Sequence, residues 1–89
     1  MTVMEHAKIL DRILQFLAGM PGWRGEVEAD TPILENGQLD SLGIVSLMGY
    51  IEESLGVEIP ESEFQFERFA TPRSIADLVR DSADGSVAV

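Results

Sequence analysis

The chain has 89 residues, a formal net charge of −10 and no cysteine. This length has room for one small domain but not for a large buried catalytic cavity, and the lack of cysteine excludes disulfides and thiolate metal sites. The negative charge repels phosphate backbones and anionic lipid surfaces, which argues against nucleic acids and membrane surfaces as partners.

The first predicted element is an amphipathic helix over about Thr2 to Ala18. Apolar residues recur there at helical spacing, and polar residues occupy the opposite side. The glycines and the proline among residues 19–25 are expected to end this helix. Its apolar side consists of Ile9, Leu10, Ile13, Phe16 and Leu17.

Residues 19–39 are predicted to form a long connection between the first and second helices. A connection of this length without regular structure of its own is uncommon and is usually functional. Apolar residues are spread along it, which predicts that it packs against the core. These residues are Trp23, Val27, Ile33, Leu34 and Leu39.

The second helix is predicted to begin at Asp40 or Ser41, because both are common N-cap residues. It should run to about Leu55, with Gly56 as the residue that stops it. The stripe that faces the core has an apolar residue every three or four positions. Its members are Ile44, Leu47, Met48, Ile51 and Leu55.

A second apolar row on the same helix consists of Leu42, Val45 and Gly49. A helix of a small soluble domain needs apolar residues on two faces only where one face meets a partner. The alternative is that the long connection covers Leu42 and Val45. The residues alone leave both interpretations open.

The C-terminal third contains one short and one longer helical segment. Residues 61–69 are predicted to be irregular or a short helical turn, with three phenylalanines available to fill the core. Thr71-Pro72 is a typical helix start, and the last helix should end near Ser82. The sequence thus predicts an all-α fold, a small bundle of three main helices plus one short helix, with one domain at 1–83 and a flexible tail at 84–89. The three phenylalanines are Phe64, Phe66 and Phe69.

Ser41 lies where the long connection meets the second helix. A helix N-terminus presents unpaired backbone N–H groups and a partial positive charge, so it favours an attached anionic group. An exposed hydroxyl at this position is also within reach of a modifying enzyme. The alternative is that Ser41 is an ordinary N-cap residue.

The triplet Asp40-Ser41-Leu42 resembles the modification motif of acyl carrier and peptidyl carrier proteins. Nearly the whole chain follows that family's order, with an amphipathic helix, a long loop, the triplet, Glu52-Glu53 and then Thr71-Pro72. The resemblance implies an acyl-carrier-protein-like fold and no enzymatic activity. It also implies that 4'-phosphopantetheine is attached covalently to Ser41 and carries acyl groups as thioesters.

Within this family the chain is more similar to D-alanyl carrier proteins, and to stand-alone aminoacyl or acyl carriers of natural-product pathways, than to fatty-acid-synthase carriers. Fatty-acid-synthase carriers usually have acidic residues soon after the serine, where this chain has Gly43 and Ser46. The similarity to D-alanyl carriers is found at residues 35–43, 62–64 and 69–72.

The resemblance also implies which residues partner proteins would recognise. A phosphopantetheinyl transferase would read Asp40 and Leu42. Other enzymes would dock by shape and hydrophobic contact along the second helix. The expected partners are the transferase, an adenylating or acyl-loading ligase, and downstream acyl- or condensation-type enzymes. The predicted recognition residues are Asp40, Leu42, Val45, Gly49 and Glu52.

The resulting hypothesis is a discrete carrier protein that holds an aminoacyl or small acyl group at Ser41 and delivers it to the enzymes of a pathway. The alternative within the class is a polyketide or fatty-acid-type acyl carrier protein. The alternative from another class is a helical interaction module without a prosthetic group, in which Leu42 and Val45 bind a partner protein.

No catalytic or metal site is predicted. His6 is the single histidine, and the acidic stretch 30–40 lacks the spacing of a calcium-binding loop. There is no signal-peptide pattern and no apolar run near the roughly 20 residues of a membrane span. A cytoplasmic monomer is therefore expected.

Overall fold

The structure, a computed structural model, describes residues 5–60 and 65–87, the last four of these by their backbone alone. Within these ranges it is all-helical and has no strand, which confirms the predicted fold class. The elements in chain order are α1 (His6–Ala18), α2 (Ser41–Tyr50), a π-helical turn (Ile51–Leu55), a 3-10 turn (Phe66–Phe69) and α3 (Pro72–Val87).

Two predicted helix boundaries differ from the observed ones. α1 begins at His6 and not near Thr2, because Glu5 has an extended backbone with φ −69° and ψ 142°. Residues 2–4 lie outside the described part of the chain. α3 continues to Val87, beyond the predicted end near Ser82, and it runs through Gly85. Ala83, directly after Ser82, is a good helix former, and a glycine inside a helix is costly but tolerated. The division into a domain at 1–83 and a tail at 84–89 stays a prediction.

α2 and the π-helical turn together form the helical path predicted from Asp40 or Ser41 to Leu55. The path ends at Gly56, whose backbone is left-handed with φ 69° and ψ 24°. A residue with a side chain rarely adopts this conformation, which explains why a glycine ends the helix.

The core lies between the helices and the long connection, and α1 packs most extensively against α3. The apolar stripes predicted for the three helices point into it. Phe69 is completely buried, whereas Phe66 is 54% exposed, so the expectation that Phe66 fills the core is wrong. Phe69 ends the 3-10 turn, three residues before α3 begins, while Phe66 is the first residue of the turn and follows the extended residue Gln65. Phe64 lies outside the described residues.

The long connection, which spans residues 19–40, is packed on the core as predicted. Ile33 and Leu39 are buried in it, and the Leu39 N–H donates to the Ile33 carbonyl at 2.9 Å. Arg73, in the first turn of α3, holds the middle of the connection against this helix. Its backbone N–H donates to the Ala29 carbonyl at 2.8 Å, and its guanidinium donates to both carboxylate oxygens of Asp30 at 2.8 and 3.1 Å.

α1 and α2 run antiparallel. Met20, two residues after the end of α1, lies beside Gly43 in the first turn of α2. Phe16, one turn earlier, stacks on Tyr50 at the end of α2, with ring centroids 4.5 Å apart. The turn that follows α1 is therefore placed next to the N-terminus of α2.

Candidate functional site: the start of helix α2

Asp40 is the N-cap of α2. Its backbone is extended, with φ −115° and ψ −175°, and its Oδ1 accepts a hydrogen bond from the Gly43 N–H at 2.8 Å. The bond satisfies one of the four N–H groups that a helix leaves unpaired at its start. The sequence left the N-cap open between Asp40 and Ser41, and the structure assigns it to Asp40.

Ser41 is the first residue of α2 and is exposed. Because Asp40 caps the helix, the Ser41 hydroxyl is not needed for that purpose. Within the described part of the chain this hydroxyl makes no hydrogen bond. The oxygen is thus accessible, so the site fits a group attached through an ester bond to the serine.

Gly43 is a residue of this site whose packing role the sequence analysis did not identify. It is buried, and a Cβ at this position would lie 2.8 Å from Cδ1 of Leu39 and 3.2 Å from Cε of Met20. Leu39 is itself 2% exposed and has little room to move. A glycine inside a helix was the available signal, because glycine there is costly unless close packing requires it.

The packing of Gly43 also explains why no acidic residue stands two positions after the serine. An Asp or Glu here would collide with Leu39 and would place a carboxylate in an apolar contact, which is unfavourable. Ser46, the other position without an acid, is exposed. The first turn of α2 therefore has an uncharged surface between Ser41 and Ser46.

Leu42 and Val45 are 79% and 67% exposed. The alternative that the long connection covers them is wrong, because the connection packs on the opposite side of α2 through Leu39. Exposed apolar residues at this spacing lie on one face of a helix. This face is uncovered within the described structure.

The other two predicted recognition residues lie farther along the same helical path. Gly49 is half-buried with open space where a side chain would start, and Glu52 is exposed in the π-helical turn. Glu52 is 11 residues after Ser41, which corresponds to about 16 Å along a helix. A partner that contacts both ends would have to cover the full length of α2.

Charged groups near the site are mostly acidic. Residues 25–67 contain no lysine or arginine. Asp30 is the acid of the long connection that pairs with Arg73. The hydrogen bond from Arg73 holds the pKa of the Asp30 carboxyl below the ordinary value of 3.8. The same contact raises the pKa of Arg73 above its ordinary value.

His6 lies away from this site. Its Nε2 is 2.6 Å from Oδ1 of Asp77, which links α1 to α3. Among the described residues, no three His, Cys, Asp or Glu side chains are grouped so that they could hold a metal ion. In the same part of the chain, no helix has both the length and the apolar character of a membrane span.

Comparison with known proteins identifies relatives that span most of the chain. Residues 11–79 match the family model described as a phosphopantetheine attachment site. The D-alanyl carrier protein 1 of Lactiplantibacillus plantarum is 35% identical over 69 residues, which cover 78% of this chain and 86% of the relative. The D-alanyl carrier protein of Enterococcus faecalis is 36% identical, covering 80% and 92%. That of Lacticaseibacillus casei is 34% identical, covering 89% and 99%.

Proposed function

Because this chain belongs to the phosphopantetheine-attachment family of carrier proteins, we propose that it carries an aminoacyl group at Ser41 and delivers it to other enzymes. The protein is a carrier and not an enzyme, and its cofactor is 4'-phosphopantetheine. When attached, this cofactor supplies a thiol on a long flexible arm, where acyl groups are held as thioesters. Membership of this family argues against the alternative of an interaction module without a prosthetic group.

The accessible hydroxyl of Ser41 is the observation that supports attachment at this residue. It is exposed at the first position of α2, and it is not needed to cap the helix because Asp40 makes the capping bond. The free oxygen can form the ester to the phosphate of the cofactor while the helix start stays intact. A phosphopantetheinyl transferase would provide the base that takes the hydroxyl proton, and coenzyme A would be the donor. The serine oxygen bonds to the phosphorus next to the pantetheine while the pyrophosphate P–O bond breaks, and adenosine 3',5'-bisphosphate leaves.

The names of the relatives favour an aminoacyl cargo, with D-alanine as the first candidate. An adenylating ligase would activate the amino acid and transfer it to the thiol. The uncharged first turn of α2 supports docking of these partners through Leu42 and Val45. Gly49 and Glu52 would extend the contact along α2, and Asp40 would be read by the transferase.

Intact-mass spectrometry tests the attachment. The protein is incubated with a broad-specificity transferase and coenzyme A, together with Ser41→Ala and Ser46→Ala. Ser46 is the matched control, because it is an exposed serine of the same helix. We expect the wild type and Ser46→Ala to gain the mass of one phosphopantetheinyl group and Ser41→Ala to gain nothing. A gain by Ser41→Ala would refute the assignment.

The cargo is tested with the modified protein and an adenylating ligase specific for D-alanine. We expect a further mass increase of one alanyl group, which hydroxylamine should release because it cleaves thioesters. If the protein isolated from its host carries a longer acyl chain and is not charged with an amino acid, the alternative of a polyketide or fatty-acid-type carrier is correct.

A further inference from the structure

We infer that Arg24 is a further binding residue for the cofactor, whose guanidinium pairs with the phosphodiester attached at Ser41. This inference rests on the proposed attachment at Ser41. It adds a residue of the long connection to a site that is otherwise built from the start of α2.

The turn that carries Arg24 is fixed against the residues on both sides of Ser41. Gln38, three residues before Ser41, donates from its side-chain Nε2 to the Arg24 carbonyl at 2.6 Å. At the other end of the turn, Met20 lies beside Gly43, two residues after Ser41. The turn that carries Arg24 is therefore held against residues that flank the attachment serine, although Arg24 is 17 positions earlier in the chain.

The backbone of this turn is further constrained. The Trp23 N–H donates to the Met20 carbonyl at 3.0 Å, and the Trp23 ring packs against the core. Gly25 has a positive φ of 78°, and a Cβ there would be 3.6 Å from Nε2 of Gln38. With a fixed backbone, only the side chain of Arg24 has to be ordered when it pairs with a phosphate, which lowers the entropic cost.

The positive charge of Arg24 is available to pair with a phosphate. The residue is exposed, and its guanidinium has no ion pair or hydrogen bond with any described residue. It is also the only lysine or arginine between Arg12 and Arg68. A guanidinium matches the geometry of phosphate oxygens and can bind two of them at once.

A cation near the attachment site would be electrostatically favourable. The phosphodiester adds a negative charge directly beside the carboxylate of Asp40, in a chain whose net charge is already −10. Asp40 also occupies the Gly43 N–H, so one of the donors that a helix start could offer to a phosphate is already used. A nearby guanidinium would offset the repulsion between the two anions.

The test compares the unmodified and modified forms of the ¹⁵N-labelled protein by NMR. We expect the side-chain Nε–H signal of Arg24 to shift when the cofactor is attached. The ³¹P signal of the phosphodiester should shift in Arg24→Gln and stay unchanged in Arg12→Gln. Arg12 is the matched control, since it is exposed, has no described ion pair and lies two turns before the end of α1.

Unchanged Arg24 Nε–H signals on modification, with identical ³¹P signals in the wild type and Arg24→Gln, would refute the inference. The Nε–H comparison uses the wild type alone and so holds even if a variant is unstable. Intact mass separates this failure from failure of the proposed function. A protein that gains the cofactor mass without any response of Arg24 refutes only the role of Arg24, whereas a protein that gains no mass refutes attachment.

Discussion

Asp40 and Gly43 are joined by a side-chain to backbone hydrogen bond of 2.8 Å that caps α2 directly beside the Ser41 hydroxyl. The two residues have separate further contacts. Asp40 is exposed, while Gly43 is packed against Leu39 and Met20. Capping and packing are thus assigned to different residues within one helical turn, and neither involves the Ser41 hydroxyl.

Loss of the cap should destabilise the protein. We expect Asp40→Ala to lower the free energy of unfolding by about 0.5–2 kcal/mol, the usual cost of removing an N-cap side chain. Asp40→Asn should stay close to the wild type, because its amide oxygen can still accept the Gly43 N–H. Urea unfolding of the three proteins measures the difference.

Asp40→Asn also separates recognition of the Asp40 charge by the transferase from the capping role of this residue. Since the cap is kept and only the charge is removed, slower attachment of the cofactor to this variant would show that the enzyme reads the carboxylate. If Asp40→Ala is as stable as the wild type, the capping bond has no energetic role.

The two glycines of α2 should respond in opposite ways to alanine. Gly49→Ala meets nothing within 4 Å and should stabilise the protein by about 0.5–1 kcal/mol, because alanine favours helix more than glycine. Gly43→Ala gains the same propensity but forces a methyl group to 2.8 Å from Leu39, and overpacking of this kind costs about 1–3 kcal/mol.

We therefore expect Gly43→Ala to be less stable than the wild type and Gly49→Ala to be more stable. Urea midpoints measured under identical conditions give the comparison. Equal stabilisation by both substitutions would show that the side chains of Leu39 and Met20 move aside for the new methyl group without loss of stability.

The contact between Asp30 and Arg73 should make stability depend on pH in the acidic range. The hydrogen bond lowers the pKa of Asp30 in the folded protein, so its contribution is present above the ordinary value of 3.8 and is lost as the pH falls through the lower folded pKa. Both groups are exposed, so the effect is small.

Asp30→Asn should therefore have a lower urea midpoint than the wild type at neutral pH, and the difference should disappear in acid. Glu28→Gln serves as the control, since Glu28 is an exposed acid of the same loop whose side chain has no described partner. A difference that persists in strong acid would mean that the substitution acts through packing.

The exposed apolar residues of α2 should affect partners more than folding. Leu42→Ala and Val45→Ala remove side chains that are mostly in solvent, so we expect unfolding free energies within about 0.5 kcal/mol of the wild type. Ile44→Ala, the buried neighbour at 2% exposure, should cost about 2–5 kcal/mol.

The same two exposed variants should slow charging by the loading ligase, because they remove apolar area from the proposed docking face. The measurement is the rate of aminoacyl transfer to the modified protein at low ligase concentration. Charging at the wild-type rate in both variants would show that the ligase docks elsewhere.

The helical periodicity was sufficient to predict the three main helices and the buried stripe of each. Periodicity did not decide which residue is the N-cap of α2, because two neighbouring residues are suited to that role. Asp40 and Ser41 are both good N-caps, and only the hydrogen bond to Gly43 distinguishes them. The exposure of Leu42 and Val45 likewise depends on which side of α2 the connection packs on.

Contacts between distant segments were the other limit. Met20, 23 positions earlier, is one of the two side chains that make a glycine necessary at position 43, and the contact of Arg73 with Asp30 determines the path of the connection. Such pairings depend on the tertiary arrangement, and no local pattern reveals them. Phe66 illustrates the same point, since its phenyl ring is as apolar as that of Phe69 but lies at the outer end of the turn.

The division of tasks between Asp40 and Ser41 has a consequence for how the protein is used. With the proposed attachment at Ser41, acquiring or losing the prosthetic arm would change one oxygen that makes no hydrogen bond within the described part of the chain, so the start of α2 would be the same in both forms. Successive enzymes would then meet the same helix surface, and the loaded and unloaded forms would differ only in what the arm carries.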